Sequence, residues 1–168
     1  METIANKVTE SGIITLDLTE HLPREKDIAP FDLKPFLFRE MILREKDYRA
    51  SLLIHDWAQY ANKHVAIFCS TDAIIPMWAH MLAASYLQPV AASVFFGSEE
   101  ELRKHLLLAN LSFIDPKEYQ DKRVVIKGCG DTPVPELAYV AITAKLRPYV
   151  KSLMYGEPCS TVPIFKKK

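Results

Sequence analysis

The feature that most constrains this chain is a repeated switch of hydrophobic period. Short, nearly unbroken apolar runs alternate with longer stretches of helical spacing. Residues 65–70 (Val-Ala-Ile-Phe-Cys-Ser) form such a run, as a strand buried on both faces does. Asp72 offers a cap, Pro76 suits a first turn, and Trp78, Met81, Leu82 and Ser85 carry a helix to about Leu87, where Pro89 stops it. Residues 90–96 read as the next strand. Gly97 turns the chain, and Ser98 with Glu101 has capping-box spacing for a helix to about Ala109. Residues 123–127 are a third strand. A helix over about 135–146 follows, with Leu137, Val140, Ala141, Ala144 and Lys145 along one side. Strands alternating with helices predict an α/β class, a single domain over 1–168 with a largely parallel sheet and helices packed on it.

Residues 1–60 are less regular. A strand is expected at 13–18 and a loop with a short helical turn across the prolines of 23–35. A helix is expected within 40–57, with Tyr48, Leu52 and Trp57 as core contacts, although 41–43 fits a strand equally well. No repeat at a solenoid period is present. Residues 164–168 read as a basic tail, ending in the solvated Lys166, Lys167 and Lys168.

Charge and composition exclude several classes. The chain has 21 basic and 21 acidic residues, which gives no footprint for a nucleic-acid partner. No apolar stretch suits a membrane span and the first residues carry no secretory signal, so a cytoplasmic protein with reduced thiols is expected. Three cysteines cannot close a disulfide framework among themselves.

Position gives those cysteines a candidate role. Ligands of open α/β sheets bind beyond the carboxyl ends of the strands. Cys69 ends one predicted strand and Cys129 lies just past another between Gly128 and Gly130. Cys159 sits in a loop with Pro158 and Ser160. A helix N-terminus beside Cys69 or Cys129 would favour the thiolate, the form that zinc and iron–sulfur clusters require. Three thiolates, Cys69, Cys129 and Cys159, are therefore the expected ligands of a zinc ion or an iron–sulfur cluster. Two alternatives stand beside this: an enzyme with Cys129 or Cys69 as thiolate nucleophile, and a non-catalytic adaptor with a protein partner in which the cysteines pack. A homodimer is plausible on general grounds. His55 beside Asp56, and His80, are weaker candidates. No dinucleotide, Walker or nucleophile-elbow motif occurs.

The strings Phe68-Cys69-Ser70-Thr71-Asp72-Ala73-Ile74-Ile75-Pro76, Ile126-Lys127-Gly128-Cys129 and Tyr155-Gly156-Glu157-Pro158-Cys159-Ser160-Thr161-Val162-Pro163 resemble an uncharacterised bacterial family, the domain of unknown function 2480. Arg44-Glu45-Lys46-Asp47-Tyr48-Arg49 fits it as well, and the resemblance covers nearly the whole chain. The family name carries no activity. The resemblance implies genes placed beside those of iron–sulfur assembly, and with them an accessory role in iron–sulfur metabolism.

Overall fold

A computed structural model describes residues 12–157 and 159–168. The chain is α/β, with two mostly parallel sheets flanked by packed helices. It divides into two compact units. An inserted unit spans Pro23–Arg103, and a split unit is made of the residues up to Leu22 together with Lys104–Lys168.

The inserted unit has a three-stranded parallel sheet in the order β2 (Ile28–Asp32), β3 (His64–Phe68), β4 (Ser93–Phe96). Helix α1 (Glu45–Ile54) connects β2 to β3, and α2 (Met77–Leu87) connects β3 to β4. Both helices bury their apolar stripe on one cluster with the sheet: Tyr48 and Leu52 from α1, Ala79, Ala83 and Leu87 from α2, Phe31, Val65 and Ile67 from the strands. The Tyr48 hydroxyl is satisfied inside that cluster, donating to the Ala79 carbonyl at 3.0 Å.

The split unit has the order β1 (Ile13–Asp17), β5 (Arg123–Lys127), β6 (Ser152–Glu157), β7 (Ser160–Lys166). It is parallel except for the antiparallel β6–β7 hairpin. Its core takes Leu107 and Leu111 from α3 (Glu99–Ser112) and Ala138, Ile142 and Leu146 from α4 (Glu136–Leu146), set against Leu16, Leu18, Val124 and Ile126.

The two units are one motif used twice. A constant offset in residue number superposes Asp56, Tyr60, Lys63, Val65, Ile67, Asp72, Pro76, Ala79, Leu87, Pro89, Ser93 and Gly97 on Asp115, Tyr119, Lys122, Val124, Ile126, Asp131, Pro135, Ala138, Leu146, Pro148, Ser152 and Gly156, all identical in type. The backbone repeats with the sequence. Asp56 and Asp115 each cap a 3-10 turn, Trp57–Tyr60 and Pro116–Tyr119. Asn62 and Asp121 hold left-handed φ of 60° and 56°. Their amides donate to the Val90 and Tyr149 carbonyls at 2.9 and 2.8 Å. The strand register repeats too: Asp32 lies opposite Phe68 as Asp17 lies opposite Lys127. Core volume is traded between the copies. Phe31, Tyr48 and Ala83 of one stand where Leu16, Leu107 and Ile142 stand in the other, so two large aromatics are offset by one small alanine.

Several expectations need correction. There are two sheets rather than one. The segment expected as a loop at 23–35 contains β2. Pro30 sits in β2, a strand at the end of its sheet, where a missing amide hydrogen is tolerated. The buried stripe of α2 is Ala79, Ala83 and Leu87, and Met81 is exposed. In α4, Ala138, Ile142 and Leu146 are buried and Val140 is exposed. Trp57 lies in the 3-10 turn after α1, and 41–43 contributes a single bridge from Ile42 to Phe38. The chain end forms β7 up to Lys166, and Lys167 pairs with Asp121 at 3.1 Å. The Ser98–Glu101 capping box holds as expected: the Ser98 amide donates to Glu101 at 2.7 Å and the Glu101 amide to the Ser98 hydroxyl at 3.2 Å. Among the described residues, no helix is long and apolar enough to cross a membrane.

Candidate functional site

The three cysteines do not make a metal centre. Cys69 is half-buried and packs on the core of the inserted unit. Cys129 is exposed in the loop after β5, and Cys159 is exposed in the turn of the β6–β7 hairpin. Among the described residues, no group of three His, Cys, Asp or Glu side chains could hold a metal ion, so the zinc or iron–sulfur site of Cys69, Cys129 and Cys159 is withdrawn. The cysteine cluster goes with it, and the accessory iron–sulfur role that the resemblance implied is left without a site for a cluster. The physical premise also fails. Pro76 and Pro135 are the N-cap positions of α2 and α4, without any side-chain cap, and a loop separates each from its cysteine. Neither Cys69 nor Cys129 therefore stands at a helix N-terminus. Asp72 does not cap α2. Asp56 spends its carboxylate on the Ala58 amide at 3.1 Å, while His55 lies among Phe31, Phe36, Trp57 and Tyr60.

The duplication locates chemistry better than the cysteines do, because equivalent positions share a scaffold and differ in what they carry. In the inserted unit, the carboxyl ends of β2 and β3 are closed by local bonds. Asp32 accepts from the Lys34 amide at 2.9 Å, from the Ser70 amide at 2.9 Å and from the Ser70 hydroxyl. Nearby, the His80 ring meets Phe96 edge-on at 5.1 Å, and its buried Nδ1 has no hydrogen-bond partner. Burial lowers the His80 pKa, which favours the neutral ring.

In the split unit the same corner is polar and open. Cys129 occupies the position of Ser70, and Asp17 is instead satisfied within its own turn. The Thr19 amide and hydroxyl donate to it at 2.9 and 2.6 Å. The Thr19 hydroxyl bond is the main cause holding the Asp17 carboxyl below its ordinary value; burial opposes it, and the Lys127 charge assists. Lys127, where the other copy has Phe68, pairs with Glu157 at 3.2 Å. That bond raises the lysine pKa, and the charges of Asp17 and Cys129 add to the shift.

Tyr139 replaces His80, and Tyr155 replaces Phe96. Their rings meet edge-on at 5.7 Å, as the other pair does. The Tyr139 hydroxyl lies over Gly128, where a Cβ would come within 1.8 Å of it. Glycine is therefore required here for close approach, and the other copy carries Cys69 at this place. Burial raises the Tyr139 pKa, followed in effect by the charges of Tyr155, Cys129 and Asp17, which keeps the hydroxyl a donor. The same ring forms one wall of a cleft of about 310 Å³, lined also by Ile126, Thr143, Met154, Tyr155 and Ile164. Apolar clefts of this size with a few converging polar groups are what small-molecule sites look like. Sequence reasoning placed Cys129 at this edge. It missed Lys127, Tyr139, Tyr155 and Glu157, which the constant offset would have flagged as polar replacements on a shared frame.

A family model described as a protein of unknown function, DUF2480, matches residues 2–167. No curated protein and no solved structure matches the chain. The chain belongs to the DUF2480 family.

Proposed function

We propose that this DUF2480 protein is a small-molecule-binding module, and that its ligand has an apolar body and a cationic or zwitterionic head. The observation that carries the reading is Tyr139. One residue supplies the wall of the apolar cleft and, through its hydroxyl, the edge of the polar corner. The cleft accepts the body. The corner sets two carboxylates, Asp17 and Glu157, against one ammonium, Lys127, and this excess of negative charge favours an ammonium on the ligand. The three free thiols suit a reducing cytoplasm, where we place the protein. The chain has no basic excess, so no nucleic acid is proposed as a partner.

The test uses three compounds with one phenyl body: phenethylamine, phenylalanine and hydrocinnamate. Proton NMR of the full chain follows the Tyr139 and Tyr155 ring signals during titration. Shifts with the two ammonium compounds and a weaker response to hydrocinnamate are expected, and Gly128→Ala abolishes them by displacing Tyr139. Ring signals that none of the three moves would end the proposal.

A further inference from the structure

The two copies differ at the outer side of the third strand. In the split unit, β6 is covered by the antiparallel strand β7, with Tyr155 opposite Val162 and Leu153 opposite Phe165. In the inserted unit, β4 is equivalent to β6 and ends its sheet. Among the described residues no strand pairs with its far side. Edge strands are ordinarily blunted by proline or charge. β2 contains Pro30, and β7 contains Pro163 and Lys166; β4 reads Ser-Val-Phe-Phe and contains neither. The Gly97 amide donates inward to the Ile67 carbonyl at 3.0 Å. By the two-residue period of a strand, Val94 and Phe96 turn their backbone groups outward.

The surface beside this edge is apolar and continuous with it. Phe96 is 70% exposed, and its ring contacts His80 on α2. On that helix Met77 and Met81, one turn apart, are 78% and 71% exposed. At the other end of β4 lies a cleft of about 310 Å³ bounded by Ala84, Gln88, Ser93 and Val94. Phe96 and Val94 are two residues apart and so face the same side of the sheet, the side of α2. One strand thus carries a projecting ring at its end and a recess at its start.

We infer that β4 pairs antiparallel with β4 of a second copy about a two-fold axis, which joins the two three-stranded sheets into one. A two-fold axis makes the paired strands antiparallel, the relation that β7 already has to β6. It also makes the contact isologous, so each Phe96 enters the other copy's recess beside Val94. The two α2 helices then lie on the same face of the joined sheet, with Met77 and Met81 between them. The strand pair alone is short for a stable interface, and the α2 face supplies the added apolar area.

Size-exclusion chromatography with light scattering on the full chain tests this. The wild type is expected to be a dimer. Phe96→Asp is expected to weaken it by about tenfold or more, as loss of a buried aromatic anchor does. Met81→Glu, on an exposed helix position that cannot unfold the chain by burial, is expected to weaken it as well. A monomeric wild type overturns the inference and leaves the edge to a strand of another protein. A dimer that survives both substitutions at full strength overturns it too.

Discussion

Substituting Gly128 by alanine tests the reading of the polar corner most sharply. The added Cβ would stand 1.8 Å from the Tyr139 hydroxyl oxygen, 2.7 Å from Cζ and 3.3 Å from Cε1. No left-handed φ is involved at this glycine, so the cost is the tyrosine's displacement and not backbone strain. Overpacking of this kind costs about 1–3 kcal/mol, and losing the Tyr139–Tyr155 edge contact adds about 0.5–1.5 kcal/mol. A chain of this size should lose about 2–4 °C of melting temperature per kcal/mol. The cost should be graded by what stands opposite. With Tyr139→Phe the hydroxyl contact goes but Cζ remains close, so part of the penalty persists. With Tyr139→Ala every close atom is removed, and Gly128→Ala should then be neutral or stabilising by about 0.4–1 kcal/mol through the unfolded chain. Thermal melts of the six proteins, with near-ultraviolet circular dichroism to follow the tyrosines, form the double-mutant series. An alanine penalty of the same size in all three backgrounds would refute the close approach of Tyr139 to Gly128.

Three further outcomes are expected. Ser98→Ala removes one side of the capping box of α3 and should cost about 1 kcal/mol in a denaturant melt, with Ser98→Asp restoring most of it. Thr19→Val removes the bond that depresses the Asp17 carboxyl below 3.8. A depressed folded pKa gives stability that is fully present above the unfolded value and is lost as pH falls through the folded one. The stability gap between wild type and Thr19→Val should therefore be constant near neutral pH and shrink below about pH 4, as measured by urea titration at several pH values. In the native protein iodoacetamide should modify Cys129 and Cys159 readily and Cys69 slowly, with all three equal in denaturant; mass spectrometry of the peptides reads this directly.

How far the sequence could be read depended on whether local or paired signals set each element. β3, β5 and α4 were legible because three or four apolar residues in a row, or a proline-started helical run, specify their own structure. The α3 capping box was legible because both partners lie within one turn. β2 was not, because its evidence is pairing with β3, while Pro30 within it and Pro23 and Pro35 around it argue locally for a loop. The buried stripes of α2 and α4 are hard to read because alanines (Ala79, Ala83 and Ala138) take part of each while Met81 and Val140 face outward. In the candidate site, only the edge and Cys129 were readable, since the rule for strand ends is topological. Lys127, Tyr139 and Glu157 have no local motif. Their meaning comes from comparison with Phe68, His80 and Ser98, the equivalent positions of the other copy, which lie far away in sequence.

The insertion of one copy inside the other also sets an order of events at the ribosome. β1 emerges before the other described strands, but among the described residues its partner in the sheet is β5, which follows after the entire inserted unit. At common rates of synthesis that interval is about five to twenty seconds. Residues 23–103 hold all three strands of their own sheet in sequence order and can close it during that time. The strand β1 meanwhile remains an unpaired edge, Ile-Ile-Thr-Leu, until β5 has been made. The birth of the protein is therefore asymmetric: the copy made in one piece folds early, and the copy made in two pieces waits for it.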